Sequence, residues 1–381
     1  MKVMGSKGRS LNGGRKKGFA LALSALLLSA CATTPASSSS TTVPVEATFG
    51  TLKLWSIVHS LDGLYSVVYL DPYWLVFNQQ NPSANWKLKM PTNVSSRRGI
   101  VLATSNSGVK AVGFIPYGAQ TNSIVFEYGS NGAYAPSFFT GSLLTSNQAM
   151  SYNVGNLFAL ATAGGKSVIE EQSTPGGTFS EVANFPFVAR KGSIGFEGNS
   201  GVAVFSTDAG RVEESNTIDG GKSWSSPVVL AVSGNVQQIF IASMDLTSNF
   251  STIAPVGPPN FAVVSSVANS SYTTSFFANS SKAASLTTTT PPILGATAIG
   301  SILEVDGAIG GALTLRTFAA GGISSPSTLQ GIHGAVEAIY NDQTQTTVLA
   351  SANGLPTTYS ANNGVDTFSA TAPFDVSALN G

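Results

Sequence analysis

The sequence predicts an all-β fold, and its composition supports this in three ways. Only 10% of the 381 residues are charged, against roughly 25% in an average globular protein. Long α-helices usually carry Glu, Lys and Arg on their solvent-facing sides, and these residues are scarce here. Thr, Val, Ser and Phe suit β-strands, and the 40 glycines suit the turns between strands. An apolar content of 43% is enough for a sizeable core.

Short strands recur along the chain in units of similar length. Four are predicted in one stretch, at residues 192–197, 202–206, 212–218 and 225–230. The unit before it has the same layout, with Thr174 in the place of Asp219 and Phe179 in the place of Trp224, each 45 residues earlier. Four short strands in a repeat of about 40 to 45 residues are typical of one blade of a β-propeller.

The turns that end the third strand of each unit predict the number of blades. They lie near residues 86, 134, 179, 224, 284, 323 and 368. Seven units predict a seven-bladed β-propeller of four-stranded antiparallel blades, with six blades as the alternative. The longer interval before residue 284 predicts an insertion near residues 245–260. An array of two-sheet β-sandwiches is the remaining alternative.

The segment 217–224, Thr-Ile-Asp-Gly-Gly-Lys-Ser-Trp, carries the most specific motif. Its pattern resembles the Asp box of bacterial neuraminidase (BNR) repeats, which joins the third and fourth strands of a sialidase-like propeller blade. The resemblance implies that this turn is structural and lies opposite the usual ligand face. The implied structural residues are Thr217, Asp219, Gly221, Ser223 and Trp224. An ordinary Asp-Gly hairpin turn is the alternative.

The N-terminal segment predicts export and lipidation. Residues 1–18 are basic, and residues 19–30 form an apolar run of 12, too short to span a bilayer. The sequence Leu28-Ser29-Ala30-Cys31 is similar to the bacterial lipobox. This resemblance implies cleavage before Cys31, a diacylglyceryl group on its sulfur, and palmitate as an attached lipid. We therefore expect a signal peptide at 1–30, a lipidated tether at 31–47 and a propeller at 48–381. An ordinary secretory signal with an incidental cysteine is the alternative.

Two further expectations follow from residue 32 and from the number of cysteines. Residue 32 is Ala rather than Asp, which in Gram-negative lipoproteins implies sorting to the outer membrane. Cys31 is the only cysteine, so the chain has no intrachain disulfide. We expect a lipid-anchored monomer in the bacterial cell envelope.

The charge distribution argues against a nucleic-acid partner. Six of the 19 basic residues precede residue 18, and the rest of the chain carries 13 basic and 19 acidic residues, a net charge of −6. Nucleic-acid binding needs a concentrated basic surface.

Loops between second and third strands and connectors between blades would form the ligand face of such a propeller. Basic residues collect in these segments of the first four blades, which predicts a positive rim for an acidic glycan or an acidic loop of an envelope protein. The alternative is that charges simply prefer exposed loops. The candidate ligand-face residues are Asp71, Tyr73, Trp74, Arg97, Arg98, Lys166, Arg190, Lys191, Asp208 and Arg211.

The residues that sialidase chemistry requires are not recognisable. Sialidases carry a Phe/Tyr-Arg-Ile-Pro motif, whereas Arg98 is followed by Gly99 and Ile100. Neighbouring glutamates on a strand point to opposite faces, so neither Glu-Glu pair, 170–171 or 213–214, makes a ready two-carboxylate site. With two histidines and one cysteine, a metal cluster or cofactor site is not expected.

The combined expectation is a non-catalytic binding or assembly platform. The chain resembles envelope propeller lipoproteins and the photosystem II assembly-factor type of Asp-box propeller, an analogy of fold only. A divergent sialidase-like glycoside hydrolase and a surface lectin or adhesin are the alternatives.

Overall fold

Every regular element that the structure describes is a β-strand. The computed structural model describes residues 53–60, 63–70, 73–78, 86–89, 97–105, 110–116, 123–129, 132–139, 141–146, 148–243, 257–267, 270–307, 311–352 and 355–370. The chain divides into two compact units, Met1–Val43 and Pro44–Gly381, and all described residues belong to the second. The predicted signal peptide and tether therefore lie outside the described residues.

The strands form successive antiparallel meanders, numbered here from the first to the seventh along the chain. The first contains β1 (Lys53–Ser60), β2 (Gly63–Leu70), β3 (Tyr73–Asn78) and β4 (Trp86–Lys89). The second contains β5 (Arg97–Thr104), β6 (Lys110–Pro116), β7 (Ile124–Gly129), β8 (Gly132–Ala133) and β9 (Ser137–Phe138). The third contains β10 (Ser142–Leu143), β11 (Met150–Asn153), β12 (Asn156–Ala163), β13 (Lys166–Gln172) and β14 (Ser180–Phe185).

The remaining four meanders repeat the pattern. The fourth contains β15 (Ala189–Glu197), β16 (Ser200–Thr207), β17 (Val212–Thr217) and β18 (Val228–Leu230). The fifth contains β19 (Asn235–Ala242), β20 (Asn260–Val267), β21 (Ser271–Ala278) and β22 (Ser281–Thr288). The sixth contains β23 (Ile293–Thr297), β24 (Ile302–Asp306), β25 (Leu313–Ala319), β26 (Gly322–Ile323) and β27 (Ser327–Leu329). The seventh contains β28 (Ala335–Asn341), β29 (Gln345–Ala352), β30 (Leu355–Asn362) and β31 (Ser369–Ala370).

Three meanders have one strand in two pieces. In the third, β10 and β11 both pair with β12 and together act as its first strand. In the second, β8 and β9 both pair with β7, and in the sixth, β26 and β27 both pair with β25. Each meander thus has four strand positions, as the sequence predicts.

Neighbouring meanders meet through their first strands. These contact one another in chain order, from β1 through β5, β11, β15, β19 and β23 to β28. Between the sixth and seventh meanders the contact includes a short parallel pairing, Ala296 with Tyr340 and Thr297 with Asn341. Antiparallel meanders whose first strands lie side by side are the architecture of a β-propeller. The all-β propeller class is therefore confirmed, whereas the count of seven blades stays a prediction.

The first described strand pairs inside its own meander. Lys53 and Leu54 pair with Tyr69 and Val68 of β2, inside the first meander. Residues 48–52 lie outside the described residues.

The core lies between neighbouring meanders. In β16, all residues from Gly201 to Thr207 are buried, whereas β22, a fourth strand, has no buried residue. Aromatic rings bridge neighbouring meanders, with Phe158 and Phe196 4.7 Å apart and Phe276 and Phe318 5.9 Å apart between ring centres. Strands buried on both faces explain the near-continuous apolar segments of the sequence.

Candidate functional site

Each meander has two ends, and a different class of loop lies at each end. One end, here called the loop end, holds the loops between second and third strands and the connectors that lead into each first strand. The other, here called the box end, holds the turns between first and second strands and between third and fourth strands, including residues 217–224. The loop end corresponds to the ligand face predicted from the sequence.

Contacts between meanders show that neighbouring meanders share these ends. Lys191 and Ser193 of β15 bond, in that order, to the carbonyls of Val236 and Ile239 of β19, so the two strands run parallel. The Asn260 amide donates to the carbonyl of Gly300 at 2.9 Å, which joins the box ends of the fifth and sixth meanders.

At the box end, Asp219 organises the turn between β17 and β18. The Thr217 hydroxyl donates to Asp219 Oδ1 at 2.7 Å, and the Ser223 backbone N–H donates to the same oxygen at 3.0 Å. The Ser223 hydroxyl donates to Asp219 Oδ2. These hydrogen bonds, from Ser223 first and then from Thr217, hold the pKa of Asp219 well below its ordinary value. Both oxygens of the Asp219 carboxylate therefore accept hydrogen bonds from within its own turn.

The same turn is packed against β15 of its own meander and against β12 of the third meander. The Trp224 indole N–H donates to the Gly221 carbonyl at 3.0 Å, and its ring meets Phe196 edge-on at 5.8 Å. Gly221 has φ +99, and a Cβ there would lie 2.5 Å from a ring carbon of Phe158. Only glycine meets both conditions without a shift of neighbouring atoms.

At the loop end, charged residues of the fourth meander lie together. Arg190 Nε donates to Asp208 Oδ1 at 2.6 Å across the loop end, and both side chains are exposed. The Asp208 N–H donates to the Val188 carbonyl, which places the loop between β16 and β17 beside the connector into β15. Arg211 closes that loop, since its carbonyl accepts from the Thr207 N–H and its own N–H donates to the Thr207 hydroxyl. The Arg211 side chain is exposed.

Lys191 extends this cluster toward the fifth meander. Its ammonium group donates to the carbonyls of Val236 at 3.0 Å and Gln237 at 2.7 Å. Burial lowers the pKa of Lys191. This side chain joins two meanders while its charge stays at the loop end.

Lys166 extends the cluster toward the third meander. It begins β13 after a tight turn whose two glycines, Gly164 and Gly165, both have positive φ. The N–H of the next residue, Ser167, donates to the Phe187 carbonyl, which places Lys166 beside the connector that leads to Arg190. The structure therefore brings five candidate ligand-face residues to one end of two adjacent meanders: Lys166, Arg190, Lys191, Asp208 and Arg211.

The other candidate ligand-face residues lie outside the described side chains. Asp71 is outside the described residues altogether. Tyr73 and Trp74 begin β3, and Arg97 and Arg98 begin β5, so the backbone places these four at the loop end of the first and second meanders. Cys31 also lies outside the described residues.

The described arginines do not form the triad of a sialidase. Arg190 and Arg211 belong to the same meander rather than to different ones. Arg316 is half-buried between the fifth and sixth meanders, where it donates to Asp306 at 2.6 Å. Three arginines converging on one carboxylate therefore cannot be assembled from these side chains.

The sequence analysis missed a set of glutamates buried between meanders. Glu127 accepts a 2.6 Å hydrogen bond from the Tyr152 hydroxyl and another from the Gly176 N–H, both in the next meander. Burial, and then the charge of Glu127, raises the pKa of Tyr152. Glu214 accepts a hydrogen bond from Ser280 of the fifth meander. In the sequence, the only sign of such a buried glutamate was a polar residue inside an apolar strand segment.

Glu304 of β24 is fully buried between the fifth and sixth meanders. Burial raises its pKa to about 6, while Thr274 of the neighbouring meander and Arg316 favour the charged form and Asp306 disfavours it. This carboxyl group faces a packed interface rather than a cleft, so its environment is structural.

Two further properties concern the described residues only. They contain no helix long and apolar enough to cross a membrane. They contain no group of three or more His, Cys, Asp or Glu side chains arranged to hold a metal ion.

Comparison with known proteins supports the fold. No protein-family model matches this sequence, and no curated protein matches it significantly. Among solved structures, a prolyl endopeptidase is similar with a TM-score of 0.53 at 12% identity, over 88% of this chain and 52% of that one. The Dos1 propeller is similar with a TM-score of 0.52 at 10% identity, over 83% of this chain and 79% of that one.

A third structure is the β-propeller domain of the Trilobed protease from Pyrococcus furiosus, with a TM-score of 0.48 at 10% identity over 85% of this chain and 99% of that one. This chain spans about half the length of the prolyl endopeptidase. At these identities the first two similarities show the propeller fold and nothing about activity.

Proposed function

We propose that this protein is a non-catalytic binding platform anchored to the bacterial cell envelope. The propeller supplies a rigid support, and the loop end of the third and fourth meanders supplies the binding surface. The observation that carries the proposal is the convergence of Lys166, Arg190, Lys191 and Arg211 with one acid, Asp208, on that end. Four cations against one carboxylate suit an anionic ligand.

The chemistry of this end favours binding over catalysis. Asp208 is engaged by Arg190 at 2.6 Å, and Lys191 is engaged by two backbone carbonyls. A glycoside hydrolase needs two carboxyl groups placed about 5 to 10 Å apart around the scissile bond. Asp208 is the single carboxylate of the cluster described here, and the buried glutamates face packed interfaces.

The turn at 217–224 is proposed as a structural Asp box. Its hydrogen bonds close within the turn, and its tryptophan packs inward against Phe196. Anchoring through Cys31 is proposed from the lipobox. This anchor is tested by labelling the protein in cells with a fatty acid. A Cys31→Ser variant should carry no acyl label and should no longer be recovered in the membrane fraction.

The binding role is tested with the purified mature chain lacking Cys31. Turnover of a panel of fluorogenic glycosides, including a sialoside, should be absent. Retention on an immobilised acidic glycan should exceed retention on a neutral one and should fall for a Lys166→Gln, Arg211→Gln variant. A Lys222→Gln, Lys282→Gln variant removes the same charge from the box end and should bind normally.

Two results would contradict the proposal. Hydrolysis of a glycoside that is lost on replacing Arg190 or Arg211 would instead make the protein a glycosidase. Equal loss of retention in both double variants would show that net charge, rather than the loop end, decides binding.

A further inference from the structure

Exposed and half-exposed charges are divided unequally between the two ends of the meanders. Among the described residues, those at the loop end are four cations and two acids: Lys166, Arg190, Lys191, Arg211, Asp208 and Glu337. Those at the box end are two cations and five acids: Lys222, Lys282, Glu171, Glu181, Asp219, Asp342 and Asp366. The half-buried pair of Arg316 with Asp306 cancels. The described charges thus sum to +2 at the loop end and −3 at the box end.

Exposed apolar side chains occur on several turns of the box end. Val154, Ile218, Ile299 and Val365 are 84%, 83%, 51% and 50% exposed, and all four lie on turns of the box end. Val267 is exposed at the loop end, and so is Phe138, which pairs with Ile124 at the start of β7. Val228 and Val229 are exposed on the fourth strand β18. Because exposed apolar side chains occur at both ends, the charge is what distinguishes the loop end.

The chain enters the propeller at the same end as the cations. β1 begins at Lys53 and runs toward its turn with β2 at the box end, so its first residue lies at the loop end. Only 21 residues separate Cys31 from Lys53. Fully extended, they would reach about 70 Å. The described part of the propeller therefore begins at the end that carries the cations.

From these observations we propose that the loop end lies against the anionic phospholipid headgroups of the membrane that holds the Cys31 anchor. This rests on the anchor proposed above, and it names the anionic partner of the loop end. Headgroup phosphates meet Lys166, Arg190 and Arg211, while the acidic box end with its exposed apolar turns points away from the membrane.

The charges determine how strongly the loop end is preferred at the membrane surface. A basic residue near an anionic membrane surface gains about fivefold in partitioning, and the gain falls off within about 10 Å. With +2 on one end and −3 on the other, the preference for the loop end is expected to exceed tenfold. A tether adds a high local concentration, so weak contacts are sufficient to set the orientation.

The orientation can be measured because Cys31 is the only cysteine. The mature chain would be coupled through Cys31 to a maleimide lipid in vesicles of phosphatidylcholine, alone or mixed with phosphatidylglycerol. Lysine acetylation rates would then be followed by mass spectrometry. In anionic vesicles Lys166 should be acetylated several-fold more slowly than in neutral ones, and high salt should remove the difference. Lys222 and Lys282 should react equally in both.

An Arg190→Gln, Arg211→Gln variant supplies the charge control, since both side chains are exposed and the fold is expected to tolerate it. It should lose the protection of Lys166, whereas Lys222→Gln should keep it. The proposal is overturned if Lys166 reacts equally in both vesicles, or if Lys222 and Lys282 are protected instead. The second result would mean that the apolar turns of the box end face the membrane.

This experiment can fail separately from the proposed anchor. The coupling is chemical, so the orientation does not depend on lipidation in cells. Absence of acyl label on Cys31 in cells would overturn the anchor alone, and absence of Lys166 protection would overturn the orientation alone.

Discussion

Glu304→Gln should change how stability depends on pH. The Glu304 carboxyl group is fully buried, and its pKa is raised from an ordinary 4.5 to about 6, chiefly by burial. Because the folded pKa lies above the unfolded one, the stabilising contribution is complete below pH 4.5 and is lost as the pH rises through about 6. At about 1.36 kcal/mol per pKa unit, the loss is about 2 kcal/mol.

Glutamine has nearly the same shape and does not titrate, so the variant isolates this contribution. Urea unfolding of both proteins between pH 4 and pH 7 would give the difference in unfolding free energy at each pH. Wild-type stability relative to the variant should fall by about 2 kcal/mol from the acidic to the neutral end. Glu337→Gln, at an exposed carboxyl group of the seventh meander, should show little change.

A flat difference between wild type and Glu304→Gln across this pH range would refute the reasoning. So would a difference of opposite sign, because it would mean that Arg316 and Thr274 outweigh burial and favour the charged form. A similar slope for Glu337→Gln would show that the effect belongs to carboxyl groups in general rather than to the buried position.

Three further substitutions test the contacts between meanders and at the surface. Gly221→Ala should destabilise the protein by about 1–3 kcal/mol in chemical denaturation. The reason is that residue 221 has φ +99 and that an added Cβ would lie 2.5 Å from Phe158. Unchanged stability would contradict this contact. Tyr152→Phe should lower the free energy of unfolding by about 1–3 kcal/mol, since Glu127 would lose a buried hydrogen-bond donor. A loss below about 0.5 kcal/mol, which is typical of a substitution at the surface, would argue against this role. Arg190→Ala should change the melting temperature little, since exposed ion pairs contribute about 0–1 kcal/mol.

Local patterns in the sequence predicted the strands well. The segment 192–197 lies within β15, and the segment 202–206 lies within β16. Both were recognisable because β-branched and aromatic residues were bounded by Gly, Asn and Ser. The antiparallel order within most meanders followed, since most connections between their strands are too short for a parallel crossover.

The positions of the candidate residues were predicted in part, and their role in binding stays a prediction. The loop positions of Lys166, Asp208 and Arg211 follow from the strand order, and the structure places all three at one end. The pairing of Arg190 with Asp208 and the use of Lys191 to join two meanders could not be predicted. Both depend on how a connector lies against a loop that is distant in sequence.

By itself the sequence determined the all-β class, the succession of meanders, the turn at 217–224 and the assignment of loops to two ends, because these depend on residues close together in the chain. Only the tertiary structure decided which glutamates are buried and what they meet. Glu127 meets Tyr152 and Gly176, which lie 25 and 49 residues away. Strand alternation tells which side chains share a face, but both faces of a meander are covered, so the partner depends on which neighbour packs against that face.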